Sequence, residues 1–385
     1  MKKVLVVTGT RAEYGLLKPL IKKLINTKNL KIGLLVTGTH VEKKYGYSIS
    51  EIIKDGFPIW SKIKINAKGL GPDLLCNSLS IAIKRISNFF KKIKPDIIVL
   101  LGDRYEILAA ATVATIYKIP IAHIHGGEAT EGVIDEAMRH SITKMSHIHF
   151  TSTDFYRKRV VQMGENPNLV FNVGALGVES LKKVKKYSRN ELEKFYKIKF
   201  KKNIFLITYH PVTLLHESPK LEINEILNAL SNFENTTFFF TYPNADTRGD
   251  EIIRPIQEFI NKKKESAIII KNLGFERYIS LMTISNVIVG NSSSGIIEAP
   301  SIGVPTVNVG IRQGGRIKAK SILSCNGNSV NIVKAIKKAL SKQFLQIAKK
   351  CDNPYFKKNT TVLITNKIKK IDPNNLLLKS FYNIK

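Results

Sequence analysis

Residues 97–140, IIVLLGDRYEILAAATVATIYKIPIAHIHGGEATEGVIDEAMRH, constrain the fold more than any other stretch of the chain. An apolar run, Ile97 to Leu101, leads into Gly102-Asp103 and an Ala-rich helical segment. A second apolar run, Ile119 to Ile124, ends in His125, Gly126, Gly127 and Glu128, and Asp135, Glu136, Arg139 and His140 follow on a helix start. Short, wholly apolar runs separated by a helix are buried strands of a parallel strand–helix–strand unit. Sheets of this kind bind ligands outside the carboxyl ends of their strands. Apolar strands alone would be core, but carboxylates and imidazoles gathered at strand ends exceed what a core needs.

The alternation continues on both sides. Further strands are expected at 3–8, 30–37, 147–151 and 170–173, then at 204–208, 236–242, 267–271, 287–290 and 305–309. Residues 58–75, with Gly69-Leu70-Gly71-Pro72, read as a mobile loop near the ligand, and Tyr45-Gly46-Tyr47 as another loop. Lys182 to Asn203 is charged and without an apolar strand, so it divides the chain. The expected fold class is α/β: two doubly wound parallel-sheet, Rossmann-like domains facing a cleft. The first takes 1–176 with the last helix and tail, about 361–385, and the second takes 177–360.

The 385 residues, 43% of them hydrophobic, suffice for two cores. No apolar run approaches the ~20 residues of a membrane-spanning helix. The start, MKKVLVVTGTRAEYG, reads as a first buried strand and not as a secretory signal. Three cysteines, Cys76, Cys325 and Cys351, suit neither a zinc site nor a disulfide framework, which points to the cytoplasm. The net charge of +31 comes mostly from dispersed lysines, which read as solvated faces, so neither nucleic acid nor a membrane is expected as partner.

In the second half, Val287 to Gly290 runs into Asn291-Ser292-Ser293-Ser294-Gly295 and a short helix through Glu298. Serine hydroxyls and backbone amides at a helix start suit a diphosphate, and a carboxylate at Glu298 can accept both hydroxyls of a ribose. Arg312 and Arg316 follow the next strand, and the planar guanidinium fork fits phosphate. His210 and Asn244 close two other strands of this half. In the first half, Thr8-Gly9-Thr10-Arg11 is an anion-suited turn, but only Gly9 and Gly15 are present, so the dinucleotide fingerprint is missing and no nicotinamide is expected. Asp103, His125, Glu128 and Asp135 can do acid–base work. His123 and His125 on one strand raise a metal reading, yet three or four convergent ligands are not spaced for one, and no metal is expected.

Seven stretches together resemble a known family: Thr8-Gly9-Thr10-Arg11-Ala12-Glu13-Tyr14, Gly102-Asp103-Arg104, His125-Gly126-Gly127-Glu128, Asp135-Glu136 with Arg139-His140-Ser141-Ile142-Thr143-Lys144, His210-Pro211-Val212-Thr213, Gly290-Asn291-Ser292-Ser293-Ser294-Gly295, and Arg312-Gln313. The chain is similar to the hydrolysing UDP-N-acetylglucosamine 2-epimerases of bacterial sialic acid synthesis and to the epimerase half of the animal bifunctional enzyme. That resemblance implies a GT-B fold, a UDP-sugar substrate, no cofactor and a homo-oligomer, dimer or tetramer. It implies anti elimination of UDP across C1 and C2 to 2-acetamidoglucal, then hydration to N-acetylmannosamine. Asp103, Glu128, Asp135 and His125 are the catalytic candidates. Arg11, His210, Asn244, Ser292, Ser293, Ser294, Glu298 and Arg312 are the substrate-binding candidates. At position 125 part of the family carries glutamate, and this chain carries His125. The alternatives are the same reaction on GDP-N,N'-diacetylbacillosamine, for legionaminic acid, and a GT-B glycosyltransferase.

Overall fold

The structure, a computed structural model, describes residues 1–43, 46–65, 67, 71–181, 184–215, 217–243, 248–271 and 273–384. The chain divides into two compact units. The first holds Met1–Glu128, Asp135–Ser180 and Tyr355–Lys385, and the second Ala129–Ile134 and Leu181–Pro354. Relative to a division at 176 and 361, the units close at Ser180 and Tyr355. Glu179 explains the junction: its carboxylate accepts from the Thr361 amide at 2.7 Å and the Thr361 hydroxyl at 3.2 Å. Residues 129–134 pack with the second unit, where the Gly132 carbonyl accepts from the Leu214 amide at 2.8 Å and the Ile134 amide donates to Thr213 Oγ1 at 3.1 Å.

Seven strands build the first sheet: β1 (Lys2–Thr8), β2 (Leu30–Val36), β3 (Ile59–Lys62), β4 (Ile97–Leu101), β5 (Ile121–Ile124), β6 (Ile148–Thr151) and β7 (Val170–Asn172). Their order is β3-β2-β1-β4-β5-β6-β7, parallel throughout, with β1 registered between β2 (Val4 on Ile32) and β4 (Val4 on Ile97). Alternate side chains of these strands supply two cores. Val4, Val6, Ile97 and Val99 face the helices at Arg11–Ile25 and Thr360–Lys370, and Leu5, Val7, Ile98 and Leu100 face Gly71–Lys92 and Tyr105–Ile116.

The second unit repeats the arrangement with β8 (Asn203–Thr208), β9 (Thr236–Thr241), β10 (Ala267–Ile270), β11 (Val287–Gly290), β12 (Thr306–Val309) and β13 (Ile322–Cys325), again all parallel, in the order β10-β9-β8-β11-β12-β13. In each unit the chain winds away in both directions from one central pair, β1/β4 and β8/β11. Their carboxyl ends are the positions where such sheets take ligands.

Two expectations need correction. Ile59–Lys62, read as part of a loop, is a strand, and Gly71 opens a helix that runs to Lys92. Ile322–Cys325 is a thirteenth strand. The charged divider carries a helix, Arg189–Tyr196, opened by a capping box in which Ser188 and Glu191 satisfy each other's backbone. Residues Tyr45, Gly69 and Leu70 of the two expected loops lie outside the described residues. Among the described residues no helix is long and apolar enough to cross a membrane, and Cys76, Cys325 and Cys351 are free thiols.

The C-terminal tail is tied to the first unit through Glu165. This buried carboxylate accepts from Lys144 Nζ at 2.6 Å, His149 Nε2 at 3.0 Å and Lys379 Nζ at 2.7 Å. Burial alone would raise its pKa, but the bonds from His149, Lys144 and Lys379 hold it at about 2, against an ordinary 4.5. Because the folded value lies below the unfolded one, the group stabilises the fold fully above about 4.5 and loses that contribution as pH falls towards about 2. Between those limits the melting temperature of the wild type is expected to fall more steeply than that of Glu165→Gln. Parallel curves from scanning calorimetry over that window would rule the linkage out.

Candidate active site

At the carboxyl end of β4 the chain turns through Gly102 to Asp103, and at the end of β5 through His125-Gly126-Gly127-Glu128. One residue gathers these ends: Arg139, on the helix Asp135–Met145, only 1% exposed. Its guanidinium pairs with Asp103 Oδ2 and with Glu136 Oε2, and donates to the Glu128 carbonyl at 2.9 Å. Burial lowers the guanidinium pKa, but the charges of Asp103, Glu136 and Glu128 outweigh it and leave the net shift upward. A buried cation of this kind is tolerated only when so paired.

The second feature is a chain of bonds around Glu128, itself 2% exposed. Its Oε1 lies 2.9 Å from His125 Nδ1 and accepts from Ser152 Oγ at 2.7 Å. His125 sits at φ +69°, where a non-glycine backbone is strained, and its amide is held by the Phe150 carbonyl at 2.9 Å. The following Gly127, at φ +77°, has no room for a side chain, since a Cβ would lie 2.7 Å from the Tyr156 carbonyl oxygen. The imidazole itself is oriented by its contact with Glu128. His123 is different: it lies in the sheet between the Gly102 carbonyl (2.8 Å) and Thr143 Oγ1 (3.2 Å), and burial pushes its pKa down to about 3, so it is a neutral core residue. Among the described residues no group of three or more His, Cys, Asp or Glu is placed to hold a metal ion.

Asp135 opens the Arg139 helix, one turn before it. Arg11 is the first residue of its helix, after the Thr10 cap. Beneath that turn lies a pair of carboxylates not singled out from sequence. Glu106 is fully buried and bonded to Arg104 Nε at 3.0 Å, while Glu13 accepts from the Gly9 amide at 2.9 Å. Burial and the neighbouring Glu106 charge hold the Glu13 carboxyl well above the usual carboxylate range, with Arg104 and the Gly9 and Thr10 amides pulling the other way.

In the second unit Asn291 joins the ends of the central strands. Its side chain accepts from the His210 amide at 2.7 Å and donates to the His210 carbonyl at 2.8 Å. Its own carbonyl accepts from Gln313 Nε2 at 2.7 Å and Arg312 at 3.2 Å. His210, Ser292 and Arg312 are thereby brought to one place. Ser292 caps the short helix Ser293–Ile297, and its Oγ lies 3.0 Å from Ser294 Oγ, which in turn bonds the Tyr278 hydroxyl. Burial raises the Tyr278 hydroxyl to about 12, the Ser294 bond opposes this, and the Glu298 charge adds to it. Glu298 is not inside the first helix but at its junction with Ala299–Ile302, and is 7% exposed. Arg316 donates to Thr130 Oγ1 at 3.2 Å. Asn244 lies outside the described residues.

Arg139, Ser152 and Asn291 are the residues that sequence reasoning passed over as organisers. Asn291 had a signal, an amide side chain just after a central strand. Arg139 stood in a motif on the helix start, but nothing in the sequence marked it as buried against Asp103 and the Glu128 carbonyl.

The chain is similar over most of its length to known proteins. The family described as UDP-N-acetylglucosamine 2-epimerase matches residues 22–369. The polysialic acid biosynthesis protein P7 of Escherichia coli is 39% identical over 386 residues, covering 100% of this chain and 98% of that protein. The hydrolysing GDP/UDP-N,N'-diacetylbacillosamine 2-epimerase of Campylobacter jejuni is 40% identical over 345 residues, covering 90% and 89%. In fold, the chain is similar to the crystal structure of UDP-GlcNAc 2-epimerase from Neisseria meningitidis bound to UDP-GlcNAc, with a TM-score of 0.81, 20% identity and coverage of 96% and 100%. With a family match over most of its length and full-length relatives near 40% identity, the chain belongs to the UDP-N-acetylglucosamine 2-epimerase family.

Proposed function

We propose that the protein is a hydrolysing 2-epimerase that converts UDP-N-acetylglucosamine and water to N-acetylmannosamine and UDP, in the cytoplasm, as the first step of sialic acid synthesis. The observation that carries this is the Arg139-centred group, which holds Asp103 and the His125–Glu128 pair at the ends of adjacent strands. Inverting C2 without hydride transfer requires its proton to leave, and that proton is too weak an acid for a lone carboxylate in water. Coupling its removal to departure of the diphosphate lowers the barrier. The C2–H electron pair becomes the C1=C2 bond, and the C1–O pair leaves with UDP. A group on the other face then delivers a proton to C2 while water adds at C1. Asp103, Glu128, Asp135 and His125 form the acid–base group. Ser292, Ser293, Ser294 and Arg312, with His210 and Arg11, stabilise the departing charge, and Glu298 holds the ribose.

A second reading, the same reaction on a nucleotide-linked N,N'-diacetylbacillosamine, is favoured by the 40% identical Campylobacter jejuni relative, whose name carries that activity. Incubation with UDP-N-acetylglucosamine and with the GDP- and UDP-linked diacetylbacillosamines in turn distinguishes the two by product. Run in D₂O, the sugar product is expected to carry one deuteron at C2. Run in H₂¹⁸O, the released nucleotide is expected to carry no label. A product without deuterium at C2, or label in the nucleotide, would exclude elimination.

A further inference from the structure

The acid–base candidates of the first unit are not equivalent. His125 Nδ1 lies 2.9 Å from Glu128 Oε1, and the same oxygen accepts from Ser152 Oγ at 2.7 Å. An ionised carboxylate only accepts, so against ionised Glu128 a neutral imidazole carries its proton on Nδ1 and its lone pair on Nε2. No protein group among the described residues bonds Nε2, although it is buried and the side chain is only 10% exposed. Glu128 and Ser152 are 2% and 1% exposed, and the imidazole and the Ser152 hydroxyl meet at one Glu128 carboxylate oxygen.

We infer that Ser152 and Glu128 are positioning residues that fix the tautomer of His125, and that His125 Nε2 is the atom that takes the proton from C2. This rests on the 2-epimerase reading. In the elimination the Nε2 lone pair accepts H-2, the C2–H electron pair becomes the C1=C2 bond and the C1–O pair leaves with the nucleotide. The imidazolium formed is stabilised by Glu128, which stays ionised and exchanges no proton with the sugar. The proton on Nε2 then passes to water before the next turnover. Delivery to the opposite face of C2 falls to the Asp103 and Asp135 carboxyls, and the water that adds at C1 returns its spare proton to them. The bond between Nδ1 and Glu128 Oε1 keeps the ring from turning Nε2 away. Ser152, which donates to Glu128, keeps the carboxylate oxygen aimed at Nδ1.

Two measurements test this, one of which needs no substrate. In protein labelled with ¹⁵N-histidine, the His125 signals are assigned by their loss in His125→Gln. Neutral His125 is expected to be protonated at Nδ1 and bare at Nε2. In Glu128→Gln, where the side chain can donate as well as accept, the single tautomer is expected to give way to a mixture. In steady-state kinetics Glu128→Gln is expected to lower kcat by roughly 10²-fold at unchanged KM, since a general base held in the wrong form loses its contribution. Ser152→Ala is expected to lower kcat by about 3- to 10-fold at unchanged KM, on the scale of one lost hydrogen bond. A proton on Nε2 in the wild type, or a Glu128→Gln variant with unaltered tautomer, overturns the inference even if the enzyme epimerises. Absence of turnover on every nucleotide sugar would overturn the 2-epimerase reading instead, and the nitrogen signals would still decide the tautomer.

Discussion

Asp103→Asn is expected to lower kcat by roughly 10²-fold or more, as for loss of a general acid or base, while the affinity for UDP stays unchanged. The expectation rests on place. Asp103 follows the central strand β4, its carboxylate is 25% exposed, and Oδ2 is held against Arg139. Asparagine keeps the shape and can still accept from the guanidinium, but it can neither take nor give a proton. The groups that face phosphate in the proposed reaction, apart from Arg11, belong to the second unit, so titration calorimetry with UDP should not register the change. Some stability is lost because Arg139 is left with one charge fewer, about 1–3 kcal/mol for a bond to a charged group. Thermal melting measures that part separately. Asp135→Asn should show the same kinetic loss. Near wild-type turnover in either variant would remove that residue from the proton-handling group.

The largest expected effect on stability is at Arg139. Arg139→Met removes a buried guanidinium that ties Asp103, Glu136 and the Glu128 carbonyl. Breaking a buried pair by deleting one partner costs about 3–5 kcal/mol, because the other charges lose their compensation. For a unit of this size that corresponds to a fall in melting temperature on the order of 10 °C. An exposed ion pair offers the contrast. Lys158 and Asp154 are 3.7 Å apart with both side chains more than half exposed, so Lys158→Ala should change stability by less than ~1 kcal/mol. Arg139→Lys is not expected to rescue, because a single ammonium cannot reproduce the planar fork that reaches a carboxylate and a carbonyl at once. Scanning calorimetry on the three variants checks the ranking. A melting temperature for Arg139→Met equal to that of Lys158→Ala would show that the guanidinium is not what holds the strand ends together. Turnover should fall with stability in Arg139→Met, since Asp103 and the backbone of Glu128 both lose their anchor.

The two strands that escaped notice show what a linear pattern carries. Strands buried on both faces, such as Ile97–Leu101, announce themselves as unbroken apolar runs, because both sides of the pleat meet helices. Ile59–Lys62 and Ile322–Cys325 lie at the ends of their sheets, only half covered, and their sequences IWSK and ILSC mix apolar and polar residues. What specifies the first of them is a contact across the sheet. Trp60 lies over Gly33 of β2, where a Cβ would come within 1.8 Å of the indole. Neither residue predicts the other until the strands are paired.

The doubly wound class, the ends of the central strands and most of the polar residues on them were legible in the sequence, because hydrophobic periodicity and turn chemistry are local properties of the chain. The sequence also determined the family, through motifs spread from Thr8 to Gln313. Only the folded structure shows which polar residues meet at the strand ends and which are buried in the sheet. His123 and His125 are two residues apart, yet one is a neutral core group between Gly102 and Thr143 and the other is an oriented base candidate on Glu128. That difference depends on burial and on partners 20 or more residues away, Thr143 for one and Ser152, by way of Glu128, for the other. Hydrogen bonds and desolvation are set by what surrounds a side chain in space, and the order of residues along the chain does not contain it.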